Sequence, residues 1–365
     1  MLPDRPRSPR PGPAADRPTT LMDKRARLLA WLSCTWVSVG LALSAPAAAS
    51  SPPAVMSPTA MPTGEATQCP PDERDTGPAG TPGLGTLESG LPAGRVLMTV
   101  GSLVGDAGVF AVEVIDSSGI HVIDTPPDWT MNALQWESPQ TAIFDSERAG
   151  QRHLFRLHLD DGSVEQITSG PAESQGQVSV VPDGRLVHEA WSCTTGLYLG
   201  LHVTSADGSQ TAEITDPQVS ADSGDDEQPD VSPDGRSVAF VRQVGDGSGA
   251  IFTVPVDGGP ATRLTDDIGG IARPRWSPDG STILIEVSGT LWTVPTSGGE
   301  RQRIADCPAY CWEGDWSPDG SHILFKDWVY GADHVDAWIA AADGSDARAL
   351  WVGDHSSAEQ PDWGA

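Results

Sequence analysis

The sequence predicts an all-β chain, a six-bladed β-propeller with four antiparallel strands per blade, closed by its own C-terminal strand. Three observations point there. Trp276-Ser277-Pro278-Asp279-Gly280 recurs as Trp316-Ser317-Pro318-Asp319-Gly320, and in part as Val231-Ser232-Pro233-Asp234-Gly235, Val180-Val181-Pro182-Asp183-Gly184 and Trp136-Glu137-Ser138-Pro139-Gln140. The prolines at 139, 182, 233, 278 and 318 are 43, 51, 45 and 40 residues apart, the period of a propeller blade or solenoid repeat. Finally, the first and last units are complementary halves: Glu359-Gln360-Pro361-Asp362-Trp363 matches the first strand at Glu227-Gln228-Pro229-Asp230-Val231, whereas the unit from Arg95 has room for only three strands. Pairing the two halves closes a ring and removes open sheet edges, which a solenoid would have to cap instead.

Residues 1–49 read as an N-terminal extension and secretory signal. Met22 offers an alternative start, followed by Lys24, Arg25 and Arg27, an uncharged apolar run from Leu28 to Leu43, and small residues at Ala45-Pro46-Ala47-Ala48-Ala49. Cleavage near Ala49 is expected, and an uncleaved signal anchor is the alternative. No other transmembrane segment is expected. Residues 50–91, rich in Pro, Ser, Thr, Gly and Ala, are too polar to offset their chain entropy and are expected to be a disordered linker. Residues 92–365 form the propeller.

Within the propeller the unit from Arg273 is the clearest. Thr282 to Val287 and Thr290 to Val294 are apolar runs, Ser297-Gly298-Gly299 turns the chain, and Glu300 to Ile304 supplies the fourth strand. The preceding unit repeats this with Ser237 to Val241, Ala250 to Val254 and Thr262 to Thr265, the last with His322 to Phe325, Asp336 to Ala340 and Ala347 to Trp351. Asp161-Gly162, Asp207-Gly208 and Asp343-Gly344 mark further hairpins, because glycine accepts positive φ without a Cβ clash.

The repeated Trp-Ser-Pro-Asp-Gly, the Leu-Trp/Ile-Phe-Thr-Val strand, the Gly-Gly and the Arg-Leu-Thr together resemble the WD-like repeat of the TolB six-bladed propeller, and of propellers in prolyl oligopeptidase relatives. The resemblance covers about residues 92–365 and is strongest from Gln228 to Gly353. TolB carries a further small α/β domain before its propeller, so the resemblance is to the propeller portion alone. It implies an envelope-located binding scaffold.

Net charge is −28, and −32 once the first 49 residues, with seven basic and three acidic side chains, are set aside. Such a body repels phosphate backbones, so nucleic acid is excluded as a partner class. Asp183, Asp234, Asp279 and Asp319 each sit between Pro and Gly, in four of the units, where repetition argues for turn architecture. No Gly-x-Ser-x-Gly elbow and no His-Glu-x-x-His pair occurs, and the eight His are scattered. No catalytic residue and no metal ligand is therefore assigned, and no cofactor is expected. The acids at 222, 225, 226, 227 and 230 are read as a solvated loop; Ca²⁺ is the alternative, although the calcium-hand spacing is missing.

In a four-stranded blade, the loops after the second strand and between blades share one face, and the short turns share the other. The long connections place Trp191, Tyr310, Trp312, Trp328, Tyr330, His334 and His355 on the loop-rich face. Aromatics among acids there suit recognition of a protein or peptide, or of a glycan. Simple packing between blades is the alternative for Trp312 and Trp328. Export favours disulfides among Cys69, Cys193, Cys307 and Cys311, with Cys307–Cys311 as the first candidate and Cys69–Cys193 as the second. The expected function is that of an exported, monomeric, non-enzymatic scaffold binding a protein or peptide at the cell envelope. A carbohydrate-binding or polysaccharide-degrading, metal-dependent lyase-like propeller is the alternative.

Overall fold

The computed structural model describes residues 85–364, except 103–109, 126–129, 148–150, 171–172, 217–223, 245–246, 267, 305–309, 329–333 and 354–355. Its strands form six sheets, each an antiparallel meander. Blade 1 combines Ser356–Gly364 with Arg95–Ser102, Phe110–Asp116 and Gly119–Ile123. Blades 2 and 3 run from Asn132 to Gln166 and from Glu173 to Glu213. Blade 4 spans Asp226 to Arg263, with Ile268–Gly269 added against its third strand. Blades 5 and 6 run from Ile271 to Arg303 and from Cys311 to Val352. The ring is thus the expected six-bladed propeller. No helix among the described residues is long and apolar enough to cross a membrane.

The core is divided among the seams between blades. One buried cluster joins blades 3 and 4 through Val187, Leu201, Val238 and Phe240, and the next joins blades 4 and 5 through Ala239, Val241, Ile283 and Ile285. Val238 to Val241 therefore face opposite seams alternately, all at 0% exposure. A blade is buried on both faces, which is why its second strand reads as a continuous apolar run rather than an alternating one. Burying each such side chain contributes about 1.5–3 kcal/mol.

Closure is stronger than the sequence implies. Ser356–Gly364 pairs along Arg95–Ser102, from Arg95↔Gly364 to Ser102↔Ser356, and Trp363 is buried. At the outer rim, Thr86–Leu87 adds a fifth strand to blade 6 against Trp351 and Val352. A Cβ on Gly85 would lie 2.0 Å from the Trp351 indole, so only glycine fits there. A strand thus lies inside the stretch assigned to the linker. Both ends of the propeller are fastened at the seam between blades 6 and 1, one at the innermost position and one at the outermost.

Candidate functional site

The channel comes first, because a central pore is where a small ligand would enter. Each innermost strand carries one non-glycine residue with positive φ: Ala133, Gln177, Gln228, Arg273, Glu313 and Gln360, between 48° and 56°. Each marks a bulge where the ladder register shifts. Such backbone costs of order 1–2 kcal/mol per residue. At four of the six a bond across the seam holds it. Gln177 N donates to Asp145 at 3.0 Å, Gln228 N to Glu189 at 2.6 Å, Arg273 N to Gln228 Oε1 at 2.7 Å and Gln360 N to Glu313 at 2.8 Å.

Two residues further along each strand lies a girdle of Gln135, Ser179, Asp230, Arg275, Asp315 and Asp362. Gln135 accepts Val180 N at 2.9 Å, Ser179 Oγ accepts Val231 N at 3.0 Å, and Asp230 accepts Trp276 N at 2.7 Å. Asp315 accepts Trp363 N at 2.6 Å, and Asp362 accepts Trp136 N at 2.7 Å. The seam between blades 5 and 6 differs, because Arg275 offers no acceptor side chain; its carbonyl takes Trp316 Nε1 at 3.3 Å instead. Trp276 Nε1 and Trp136 Nε1 make the same bond to Asp230 O and Asp362 O. Trp136 and Trp276 are thus two-point fasteners to the preceding blade as well as the starts of turns, and Trp316 is fastened at one point.

Arg275 stands in this girdle beside Asp230, at 3.6 Å, and faces Asp315 and Asp362. Burial, reinforced by the neighbouring Asp315, pushes the Asp362 carboxyl up to about 8. Burial thus disfavours the charged form of both carboxyls, and Asp362 and Asp315 share a hydrogen bond. Nearer the loop-rich face, burial would raise the Glu313 carboxyl, but Arg273 at 2.8 Å and Lys326 at 2.9 Å hold it down at about 2. Lys326 also pairs with Glu359 of the closing strand. With these side chains in place the channel waist keeps about 20 Å³, the room of one water molecule. Among the described residues, no group of three or more His, Cys, Asp or Glu is placed to hold a metal ion.

Of the acids read as a solvated loop, Asp226, Glu227 and Asp230 lie in a strand instead, Asp225 is exposed just before it, and Asp222 lies outside the described residues. Asp226 is fully buried and holds Arg242 at 2.6 and 2.8 Å through both oxygens, Glu227 accepts Gln243 Nε2 at 3.1 Å, and Asp230 belongs to the girdle. The strand begins earlier than the charge density suggested, because Asp226, Glu227 and Asp230 each meet a partner once it is in place.

At the opposite end of each innermost strand, Asp279 Oδ1 accepts Ser277 Oγ at 2.6 Å and Ser281 N at 2.9 Å. Asp234 and Asp319 repeat this, and Asp183 accepts Arg185 N at 3.1 Å. A Ser–His–Asp trio does occur at a hairpin tip of blade 1. There His121 Nε2 lies 2.8 Å from Ser118 Oγ and 3.1 Å from Asp116 Oδ1. Both contacts fall on one ring nitrogen, so the imidazole cannot pass a proton between hydroxyl and carboxylate as a triad requires.

On the loop-rich face, Tyr310, Trp312 and Trp328 come together in blade 6. Ring centroids are 6.3 Å apart for Tyr310–Trp312 and 6.5 Å for Trp312–Trp328, with planes tilted by 40° and 48°. Tyr310 N donates to Asp327 Oδ1 at 3.1 Å, Trp328 N donates to Tyr310 O at 3.3 Å, and Cys311 N donates to Gly289 O of blade 5 at 3.0 Å. A Cβ on Gly289 would lie 2.7 Å from the Tyr310 ring, so the cluster straddles the seam between blades 5 and 6. Tyr310 is 51% exposed, while Trp312 and Trp328 are half-buried.

The other expected residues do not join this cluster. Trp191 stacks edge-on against Tyr198 in blade 3, at 5.4 Å. His334 Nε2 lies 3.5 Å from Asp336. Tyr330, His355, Cys307 and Cys69, with the signal and most of the linker, lie outside the described residues. Sequence reasoning missed the girdle and the Lys326 network. Lys326 had one signal, being the sole lysine after Lys24 and lying within an apolar strand.

No family model matches the chain. A segment of 57 residues is 42% identical to the uncharacterized peptidase YuxL of Bacillus subtilis, covering 16% of this chain and 9% of that protein. Among solved structures, TolB from Acinetobacter baumannii has a TM-score of 0.61 at 19% identity, over 74% of this chain and 66% of that one. The putative TolB from Agrobacterium tumefaciens gives 0.52 at 20% identity, over 72% and 92%. A chain of a nidogen/laminin complex gives 0.57 at 11% identity, over 74% and 99%. The chain is a six-bladed β-propeller whose structural neighbours are TolB proteins, and the likeness is one of fold.

Proposed function

We propose that the chain is an exported, non-enzymatic scaffold that binds a protein or peptide through the loop-rich face of blades 5 and 6. The observation that carries this reading is the Tyr310–Trp312–Trp328 cluster, where aromatic surface stays open on the face away from the turns. The nidogen/laminin neighbour is a propeller in a protein–protein assembly, which supports such a use of the fold. Export rests on the basic, apolar and small-residue sequence of residues 22–49, and an envelope setting on the resemblance to TolB. The pairings Cys307–Cys311 and Cys69–Cys193 are part of this proposal, and the export reading favours them. Intact mass before and after reduction counts the bonds.

The test is a cross-linked pull-down from the envelope fraction with the wild-type protein and a Trp312→Ala/Trp328→Ala variant of unchanged melting temperature. A partner captured by the wild type and lost from the variant is expected. Equal capture by both proteins overturns the assignment of this face.

A further inference from the structure

The three aromatics also carry information about which side chain they would meet, an inference that rests on the binding role of this face. Ring faces attract cations, and elsewhere this chain satisfies that attraction internally. Arg95 stands 4.8 Å from the centroid of Trp136, and Arg301 stands 4.9 Å from that of Trp292. Arg242 and Arg263 lie over Phe252 at 4.8 and 5.8 Å. Among the described residues no Arg or Lys stands over Tyr310 or Trp312. Lys326 is opposite Trp312 in the ladder, but its ammonium is turned into Glu313 and Glu359.

Shape and charge agree with an external cation. Successive rings are tilted by 40° and 48°, so they do not form the flat platform on which a sugar ring stacks. The acidic side chains nearby are Asp327, Asp336, Glu313 and Glu359, against the basic Lys326 and Arg273, so acidic residues are in excess. The whole chain carries −28. We infer that Tyr310, Trp312 and Trp328 form a box for a cationic side chain, the ammonium or guanidinium of a lysine or arginine in the bound partner. The cation lies against the ring faces, and the surrounding carboxylates draw it in without direct contact.

The test uses the full chain labelled with 5-fluorotryptophan, with the Trp312 and Trp328 resonances assigned from Trp312→Phe and Trp328→Phe. Tetramethylammonium chloride is the probe, neopentyl alcohol is its neutral counterpart of the same shape, and sodium chloride controls for ionic strength. The expected result is a saturable shift of both resonances with tetramethylammonium alone. Tyr310→Leu, which alters a half-exposed ring and leaves the melting temperature unchanged, should weaken the response at least about threefold. An equal response to neopentyl alcohol, or none to tetramethylammonium, overturns the inference. If the pull-down still captures a partner in that case, the binding role of the face stands and only the cationic ligand falls.

Discussion

Asp230 and Asp234 sit four residues apart on one strand and its turn, as do Asp315 and Asp319, yet the members of each pair titrate in opposite directions. Asp234 is held low by Ser232 Oγ and Arg236 N, while burial pushes Asp230 up to about 6 despite Arg275. Asp319 is drawn down to about 2 by Ser321, while burial raises Asp315. Both members of a pair accept backbone N–H groups, so hydrogen bonding does not separate them. Side-chain exposure does, at 60% for Asp234 against 10% for Asp230. The turn end organises each blade within itself. The channel end ties each blade to the next, and its carboxyls bear the desolvation cost of doing so.

That contrast places the largest effect at the channel. Deleting residues 359–365 removes Glu359 from Lys326, Gln360 from Glu313, Trp363 from Asp315 and Asp362 from Trp136 in one step. It also uncovers the edge of Arg95–Ser102. Loss of the cooperative transition by circular dichroism is expected; an unchanged melting temperature would sink the account of closure. Next comes Arg275→Met, which strips the cation from Asp230, Asp315 and Asp362. It should cost about 3 kcal/mol in urea denaturation at neutral pH, the low end for breaking a buried pair because the side chain is 26% exposed. Arg236→Met, at the turn, removes a partner 4.0 Å from Asp234 and should cost under about 0.5 kcal/mol. Similar losses in the two variants would erase the distinction between the ends.

The two ends also predict opposite limbs of the pH profile. A carboxyl raised in the fold contributes stability that is fully present below its unfolded value and is lost as pH rises through its folded value. For Asp362 that window runs from about 3.8 to about 8, and for Glu286, raised by burial, from about 4.5 to about 7. The melting temperature should therefore rise as pH falls from 8 toward 5. Asp362→Asn reproduces the protonated carboxyl, its amide donating toward Asp315 and its carbonyl accepting Trp136 N. It should flatten this limb and melt above the wild type at pH 8. A variant that melts lower at pH 8 and keeps the slope would show that Asp362 is ionised in the fold.

The difference between the ends explains what the sequence could reveal. The turns were legible because each is local: Ser, Pro, Asp and Gly satisfy one another within five residues, so the same letters recur in blade after blade. The six blades and the halved first blade followed from that recurrence. The girdle was not legible, because its bonds cross seams between residues some 45 positions apart and any acceptor serves. Gln135, Ser179, Asp230 and Asp315 do one job with different letters, and Arg275 departs from it. Thr86–Leu87 escaped for another reason, since a two-residue strand has no periodicity to read. The meeting of Tyr310, Trp312 and Trp328 was half legible. Topology put them on one face, but Trp191, on that same face, lies in blade 3.

The smallest effect is expected at the turns, and it separates the two ends most cleanly. Asp279 and Asp319 are both held near 2, so what they contribute is present above about 3.8 and is lost as pH falls toward 2. Asp279→Asn/Asp319→Asn keeps an oxygen for Ser281 N and Ser321 N but removes the charge that strengthens those bonds. At pH 7 its melting temperature should fall by less than that of Arg275→Met, and the wild-type decline below pH 4 should become shallower. Above pH 5 the slope should stay as in the wild type, because the channel carboxyls are untouched. Combined with Asp362→Asn, the two flattenings should add, one on each limb, since the turns and the girdle share no side-chain partner. If the turn variant flattens the neutral limb instead, the turn aspartates are coupled to the channel, and the division between the two ends of the strand is wrong.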